Sequence, residues 1–322
     1  MPQKVSITTG ARLHFGLLSH GPDRGGRFGG AGVMIDSPGF ELSAELSHQS
    51  SCTAPVPFED RVDGFVRCYW ENGPEGRRQA SCRWHLTRVI PSHLGLGSGT
   101  QLGMAVAQAL SMLAGDDRSH PVTLAQKVGR GLRSSVGIHG FGQGGFIIDA
   151  GKTAQDSIGT LHSRIDFPEH WRFVLAAPRG ISGLSGDAEL KAFAQLPPMA
   201  NSTTNRLWDI LQAELLPGIT ASEFAACAEA LYRYGQIAGE YFAPLQNGVY
   251  ADPLMARLAD HLRREGWQGV GQSSWGPTIF ALCRSLEEAE SLRDSLAGDA
   301  RWQTCEFRIA APMNTGAIVR TT

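Results

Sequence analysis

A chain of 322 residues with a formal net charge of −2 carries no basic surplus to draw it to nucleic acid or to an anionic membrane. Its 42% hydrophobic and 19% charged residues supply the apolar surface for folded cores, which excludes disorder, and the length suits two packed domains. No run of about eighteen apolar residues is present to span a bilayer, and Pro2-Gln3-Lys4-Val5-Ser6-Ile7 lacks the apolar region of a signal peptide, so the expected compartment is the cytoplasm.

Strands joined by glycine turns are expected through the first forty residues, over 5–9 and 12–18, with Gly29-Gly30-Ala31-Gly32-Val33-Met34-Ile35 leading into another. Cys82, Trp84 and Leu86 share one face of a half-buried strand over 80–90. A helix over 100–114 follows, with Leu102, Ala105, Val106, Ala109, Leu110 and Leu113 in one apolar stripe and Gly115 to stop it. A second helix is expected over 123–132, then a glycine-rich turn over 140–145 and the buried strand Phe146-Ile147-Ile148-Asp149. Near residue 170 the texture changes. A strand over 171–177 gives way to helices over 203–215, 222–241 and 253–265, strands over 269–273 and 278–283, a helix over 286–296 and a strand over 305–311. The expected division is a strand-rich 1–170 and a helix-rich 171–322, both α+β, with a cleft between them. The six cysteines are scattered, without a Cys-x-x-Cys pair or the histidine spacing of a zinc site, and read as reduced, mostly buried thiols.

Pro91-Ser92-His93-Leu94-Gly95-Leu96-Gly97-Ser98-Gly99-Thr100-Gln101 carries the strongest chemical signal. A strand, a glycine loop and a helix in succession turn the helix N-terminus into an anion site, because its first N–H groups have no intrahelical partner and the helix dipole favours negative charge there. Ser98 and Thr100 add hydroxyls that could help hold a magnesium ion. The loop has neither the Gly-Lys-Ser/Thr of a P-loop nor the third glycine of a Rossmann fingerprint, and the competing reading is a glycine turn without a ligand. Arg12 and His14 alternate onto one face of a strand, where two cations together call for an anion or else form a surface pair. Gln143 and Asp149 could face the cleft, Asp149 as a magnesium or ribose ligand or simply as a turn-capping residue. Ser273-Ser274-Trp275-Gly276-Pro277-Thr278 reads, by itself, as a tight connection with a core tryptophan.

Taken together, the loop from Pro91 to Ser98 and the turn from Gly271 to Thr278 resemble the GHMP superfamily of small-molecule kinases, which implies a two-domain fold with a ferredoxin-like C-terminal half. Arg12-Leu13-His14-Phe15-Gly16-Leu17, Gly29-Gly30-Ala31-Gly32, Gly95-Leu96-Gly97-Ser98-Gly99-Thr100-Gln101, Gly144-Gly145-Phe146-Ile147 and Ser273-Ser274-Trp275-Gly276-Pro277-Thr278 resemble, more narrowly, its β-ribofuranosylaminobenzene 5′-phosphate synthase family. Many of the kinases carry Ser-Gly-Ile/Val-Asp, whose Asp takes the substrate's proton; here Ser134-Ser135-Val136-Gly137-Ile138-His139-Gly140 has no carboxylate, and Gly99 replaces the loop's second serine. The resemblance implies a phosphoribosyltransferase of tetrahydromethanopterin biosynthesis. It would join phosphoribosyl pyrophosphate to 4-aminobenzoate, or 4-hydroxybenzoate, with release of pyrophosphate and carbon dioxide. An ATP-dependent GHMP kinase and a non-catalytic binder of phosphometabolites are the alternatives.

On that resemblance Gly95, Leu96, Gly97, Ser98, Gly99 and Thr100 hold the pyrophosphate, and Arg12 and His14 act at the reacting centre on an anionic group. Gln143, Ser273, Ser274 and Trp275 line the cleft, while Ser98 and Asp149 bind Mg2+. No nucleic-acid or membrane partner is expected, and a homodimer follows only from the base rate for enzymes of this size.

Overall fold

The computed structural model describes residues 2–21, 27–73, 80–116, 119–181, 183, 186–246 and 248–322, with the backbone alone over 186–190. The elements in chain order begin with β1 (Lys4–Leu17), β2 (Gly30–Leu46), β3 (Ser51–Thr53), α1 (Phe58–Glu71) and β4 (Cys82–Arg88). Next come α2 (Ser98–Leu113), α3 (Pro121–Lys127), α4 (Val136–Gln143), β5 (Phe146–Asp149) and β6 (Leu161–Ile165). The second half holds β7 (Arg172–Pro178), α5 (Gly186–Gln195), α6 (Asn201–Ile210), a π-helical turn (Leu211–Leu215), α7 (Leu216–Thr220), α8 (Phe224–Gln246) and α9 (Pro253–Arg264). It closes with β8 (Val270–Gln272), β9 (Ile279–Cys283), α10 (Leu286–Gly298), a 3-10 turn (Ala300–Trp302), β10 (Cys305–Ala310) and β11 (Ile318–Thr321).

Among the described residues the strands form two sheets, one of seven strands and one of four. In the first, β1 and β2 pair antiparallel from Lys4↔Glu45 to Leu17↔Gly30, with irregularities at Gly10/Ala11 and His14/Gly16. Because β2 is long, its N-terminal part pairs with β5 and its C-terminal part with β4. In the second the order is β10-β7-β9-β8 with every neighbour antiparallel. Helices follow its first and third strands, which is the split-βαβ arrangement of a ferredoxin-like domain. Alternation drives these sheets: Val5, Ile7, Leu13 and Phe15 are buried along β1, and Phe173 and Leu175 along β7. All these residues enter one continuous core that joins the two halves, α2 contributing Leu102, Val106 and Leu110.

Three local expectations are corrected. The second domain does not run unbroken from 171 to 322, because β11 returns to pair with β1, Val5↔Thr321 through Thr8↔Ile318. The glycine-rich segment expected as a turn over 140–145 is mostly helix, the last part of α4, ended by Gly144. Its glycines serve packing: a Cβ on Gly140 would lie 2.5 Å from Met34 Sδ, and one on Gly142 2.6 Å from Pro121 Cγ. Tertiary contact overrides the poor helix propensity of glycine. Finally, the helix expected over 123–132 ends at Lys127, and Gly129 and Gly131, both at positive φ, turn the chain out into the cleft. All six cysteines are free thiols, with Cys82, Cys227, Cys283 and Cys305 buried and Cys52 and Cys68 half-buried. No helix among the described residues is long and apolar enough to cross a membrane.

Candidate active site

The junction of the two halves encloses a cavity of about 550 Å³. The loop before α2 forms its floor. Gly95 and Gly97 take φ values of 78° and 76°, in the left-handed region that favours glycine, so the chain doubles back into the helix. Among the described residues no side chain caps α2, and Ser98, Gly99 and Thr100 of its first turn line the cavity, where helix amides have no intrahelical partner. From the second half, the turn over 273–276 closes onto this loop. Ser273 Oγ donates to the Gly95 carbonyl at 2.8 Å and accepts from the His14 amide at 3.1 Å, while the Ser274 amide donates to the His14 carbonyl at 2.8 Å.

The wall is cationic. Arg12, Arg61, Arg130 and Arg133 all line the cavity, and no Asp or Glu does among the described residues. Arg12 Nη1 donates to the Gly95 carbonyl at 3.0 Å, which ties its strand to the loop. Arg61 Nη1 donates to Ser92 Oγ at 2.5 Å, and burial draws its pKa down. A Cβ on Gly99 would meet Arg130 Nη2 at 2.9 Å and Arg61 Nη2 at 3.5 Å. Two guanidiniums therefore converge on the N-terminus of α2, an arrangement that a polyanion stabilises.

Aromatic side chains line the same cavity. The Phe193 and Trp275 rings stack at 4.6 Å between centroids, Phe242 meets Trp275 edge-on at 4.9 Å, and the Arg133 guanidinium lies over Phe193 at 5.5 Å. Trp275 Nε1 is buried without a hydrogen-bond partner among the described residues. His14 is buried in the wall beside Arg12, and burial, then the Arg12 charge, hold its pKa well below the ordinary histidine value.

Arg12, His14, Gly95, Leu96, Gly97, Ser98, Gly99, Thr100, Ser274 and Trp275 are thus brought to one cavity. Three expected residues are not. The Ser273 hydroxyl is engaged by Gly95 and His14 and serves as a staple between the halves. Gln143 is exposed at the end of α4, its carbonyl accepting from Arg164. Asp149 lies behind the wall, fully buried; its oxygens accept from the Ser135 amide at 2.5 Å, the Gly151 amide at 2.8 Å and Ser134 Oγ at 3.4 Å. The magnesium pair Ser98 and Asp149 therefore does not fit, since one residue lines the cavity and the other spends its oxygens on interior donors. Sequence reasoning missed Arg61, Arg130, Arg133, Ser134, Phe193 and Phe242. Arginines set among the glycines of Gly129-Arg130-Gly131-Leu132-Arg133 were the one available signal, a flexible cationic stretch within reach of the loop.

The sheet order, the uncapped loop–helix and the ferredoxin-like half define a GHMP-type protein. Residues 65–143 match the GHMP kinases N terminal domain and residues 215–300 the GHMP kinases C terminal domain. Homoserine kinase from Cytophaga hutchinsonii superposes with a TM-score of 0.65 at 17% identity, covering 99% of this chain and 98% of its own, which establishes the fold alone. Beta-ribofuranosylphenol 5′-phosphate synthase from Methanothermobacter thermautotrophicus is 30% identical over 300 residues, 87% of this chain and 88% of that protein. The Archaeoglobus fulgidus protein of the same name is 26% identical, over 91% of this chain and 93% of its own. The chain belongs to the beta-ribofuranosylphenol 5′-phosphate synthase family of enzymes. That name carries a phenol where the motif resemblance put an aminobenzene.

Proposed function

We propose that this enzyme transfers the phosphoribosyl group of phosphoribosyl pyrophosphate to the ring carbon of 4-hydroxybenzoate, or of 4-aminobenzoate, that bears the carboxylate. Pyrophosphate and carbon dioxide leave, and a C-riboside is formed, at the entry to methanopterin biosynthesis. The observation that carries this reading is the cavity lining: four arginines, a helix N-terminus and a stacked aromatic pair, with no carboxylate among the described residues. The donor substrate bears a diphosphate and a phosphate on one sugar, and the acceptor is an aromatic anion.

The amides of Ser98, Gly99 and Thr100 with Arg61 and Arg130 would take the diphosphate, because charge grows there as the glycosidic C–O bond breaks. Arg12 and Arg133 would meet the other anionic groups in addition to the contacts they already make, Arg133 next to the Phe193–Trp275 stack that would flank the benzoate ring. Attack on the opposite face of the sugar inverts the α-configured carbon to β, and loss of carbon dioxide restores aromaticity. No covalent enzyme intermediate is needed. Magnesium is proposed as the companion of the diphosphate, without a carboxylate site of its own in the wall.

The test is an incubation with phosphoribosyl pyrophosphate, magnesium chloride and each carboxyl-labelled benzoate, in the absence of nucleotide. Labelled carbon dioxide released in step with pyrophosphate is the expected result. Phosphorylation dependent on ATP, with no carbon dioxide, would overturn the reading in favour of a kinase. A repeat with the metal chelated tests the magnesium requirement.

A further inference from the structure

The cavity changes chemical character along α8. Gly235, Gly239, Phe242 and Gln246 all line it, and their spacing of four, three and four residues puts them on one face of that helix. Arg233 and Glu240, both exposed, lie on the other side, so this face looks inward. Phe242 belongs to the aromatic group, meeting Trp275 edge-on at 4.9 Å. One and two turns before it come the two glycines, and they differ in what surrounds them. A Cβ on Gly239 would lie 2.5 Å from Val249 Cγ1 and 2.8 Å from the Val249 carbonyl oxygen, so this glycine lets the returning chain pack against α8. A Cβ on Gly235 would meet no heavy atom of the described residues within 4 Å. Glycine inside a helix costs stability relative to alanine. Close packing accounts for it at position 239; at 235 no contact does, and the room above it belongs to the cavity.

The cavity residues next to Gly235 are uncharged. Gln236 Nε2 donates to Tyr250 Oη at 2.9 Å, and Gln272 is held by the Ala251 amide at 2.7 Å and the Ser274 carbonyl at 2.8 Å. Phosphoribosyl pyrophosphate is charged at both ends, and a lining of amides, a phenol and bare backbone compensates neither charge. An aromatic acid differs, with one charge at one end of an uncharged, flat body. We propose that the acceptor ring lies along this face of α8, its carboxylate toward the arginines, and that position 235 is bare so that the ring can fit. This rests on the phosphoribosyl-transfer reading above. Gly235 is then a specificity-determining position for the acceptor and has no part in binding the donor. Gly239, on the same face, keeps a packing role through Val249.

Two variants of the full-length enzyme test this. Gly235→Ala adds a methyl group that meets no described atom of the chain, so it should melt at or above the temperature of the unmodified protein. Its KM for 4-hydroxybenzoate and for 4-aminobenzoate should nevertheless rise about tenfold, and Gly235→Leu should raise both about 100-fold or more, the scale of extra carbon atoms forced into a fitted pocket. In both variants KM for phosphoribosyl pyrophosphate should stay within about twofold. An alanine variant with unchanged acceptor KM, or one in which donor and acceptor KM rise together, overturns the proposal. Should Gly235→Leu fail to fold, the alanine variant decides by itself. If the unmodified enzyme releases carbon dioxide from neither acceptor, it is the phosphoribosyl-transfer reading that fails. Calorimetric titration with 4-hydroxybenzoate then decides the subsite: binding weakened by Gly235→Ala upholds it, and binding that is absent or unchanged overturns it.

Discussion

At Gly99 the missing side chain matters more than the backbone. A β-carbon there would lie 2.9 Å from the terminal nitrogen of Arg130 while touching Arg61 only at an ordinary 3.5 Å, so it is the Arg130 guanidinium whose approach needs this position bare. Gly99→Ser should fold normally, since the atom in the way is the end of a flexible side chain. With Arg130 displaced, KM for phosphoribosyl pyrophosphate should rise about tenfold or more, the scale of one lost charge-assisted hydrogen bond. Thermal melts and initial rates check the two halves of that statement. Asp149 gives a pH prediction. Burial raises its pKa from 3.8 to about 6 against the pull of its hydrogen bonds. Its folded value lies above its unfolded one, so its contribution to stability is fully present below the unfolded value and is lost as pH rises through about 6. The loss amounts to about 3 kcal/mol at most, at about 1.4 kcal/mol per unit. Unfolding free energies from denaturation at about pH 4.5 and about pH 7.5 should differ less in Asp149→Asn than in the unmodified chain, by about 2 kcal/mol, because part of the loss has already occurred at the lower pH.

Among the elements, legibility followed the range of the determinants. A helix was expected over 253–265, and the buried residues of α9, Met255, Leu258, Ala259 and Leu262, follow local helical spacing. In α1 only Phe58, Val62 and Tyr69 are buried, too sparse a pattern to announce a helix, and so Arg61 went unseen with it. Glycines of α4 looked like a turn because their purpose, close approach to Met34 and Pro121, is set by partners distant in sequence. β11 was also missed; its four residues are exposed and the strand it pairs with, β1, is at the other end of the chain. Deleting residues 318–322 should therefore lower unfolding free energy by about 1–3 kcal/mol, a few ladder hydrogen bonds' worth, and bare an edge of β1 that invites association. Activity of the folded fraction should be unchanged, because β11 contributes no residue to the cavity. Denaturation curves and light scattering, with kcat measured beside them, check this.

For the whole molecule, function depends on how the two sheets are clamped together. The Ser273 hydroxyl bridges Gly95 of the glycine loop and His14 of β1, so one buried side chain sets the register between the floor of the cavity and its wall. Ser273→Ala strands the His14 amide and should destabilise the protein by about 1–3 kcal/mol, with kcat falling as the loop loosens. Calorimetry and turnover measured on the same samples test the coupling. A mutant that melts lower yet turns over at the original rate would show that the clamp serves stability alone.

The amino-acid order alone determined the glycine loop leading into a helix, the shared face of Arg12 and His14, the ferredoxin-like half and the family, because each is encoded in neighbouring residues or in short, recognisable spacings. Only the tertiary structure decided which charges meet. A chain of net charge −2 gathers four arginines from separate segments around one cavity and keeps its carboxylates off the wall, among the described residues. It also took Asp149 from the expected metal site into the interior and brought Ser134 to His14, a separation of 120 residues. Such pairings depend on distances through space, which local periodicity does not carry.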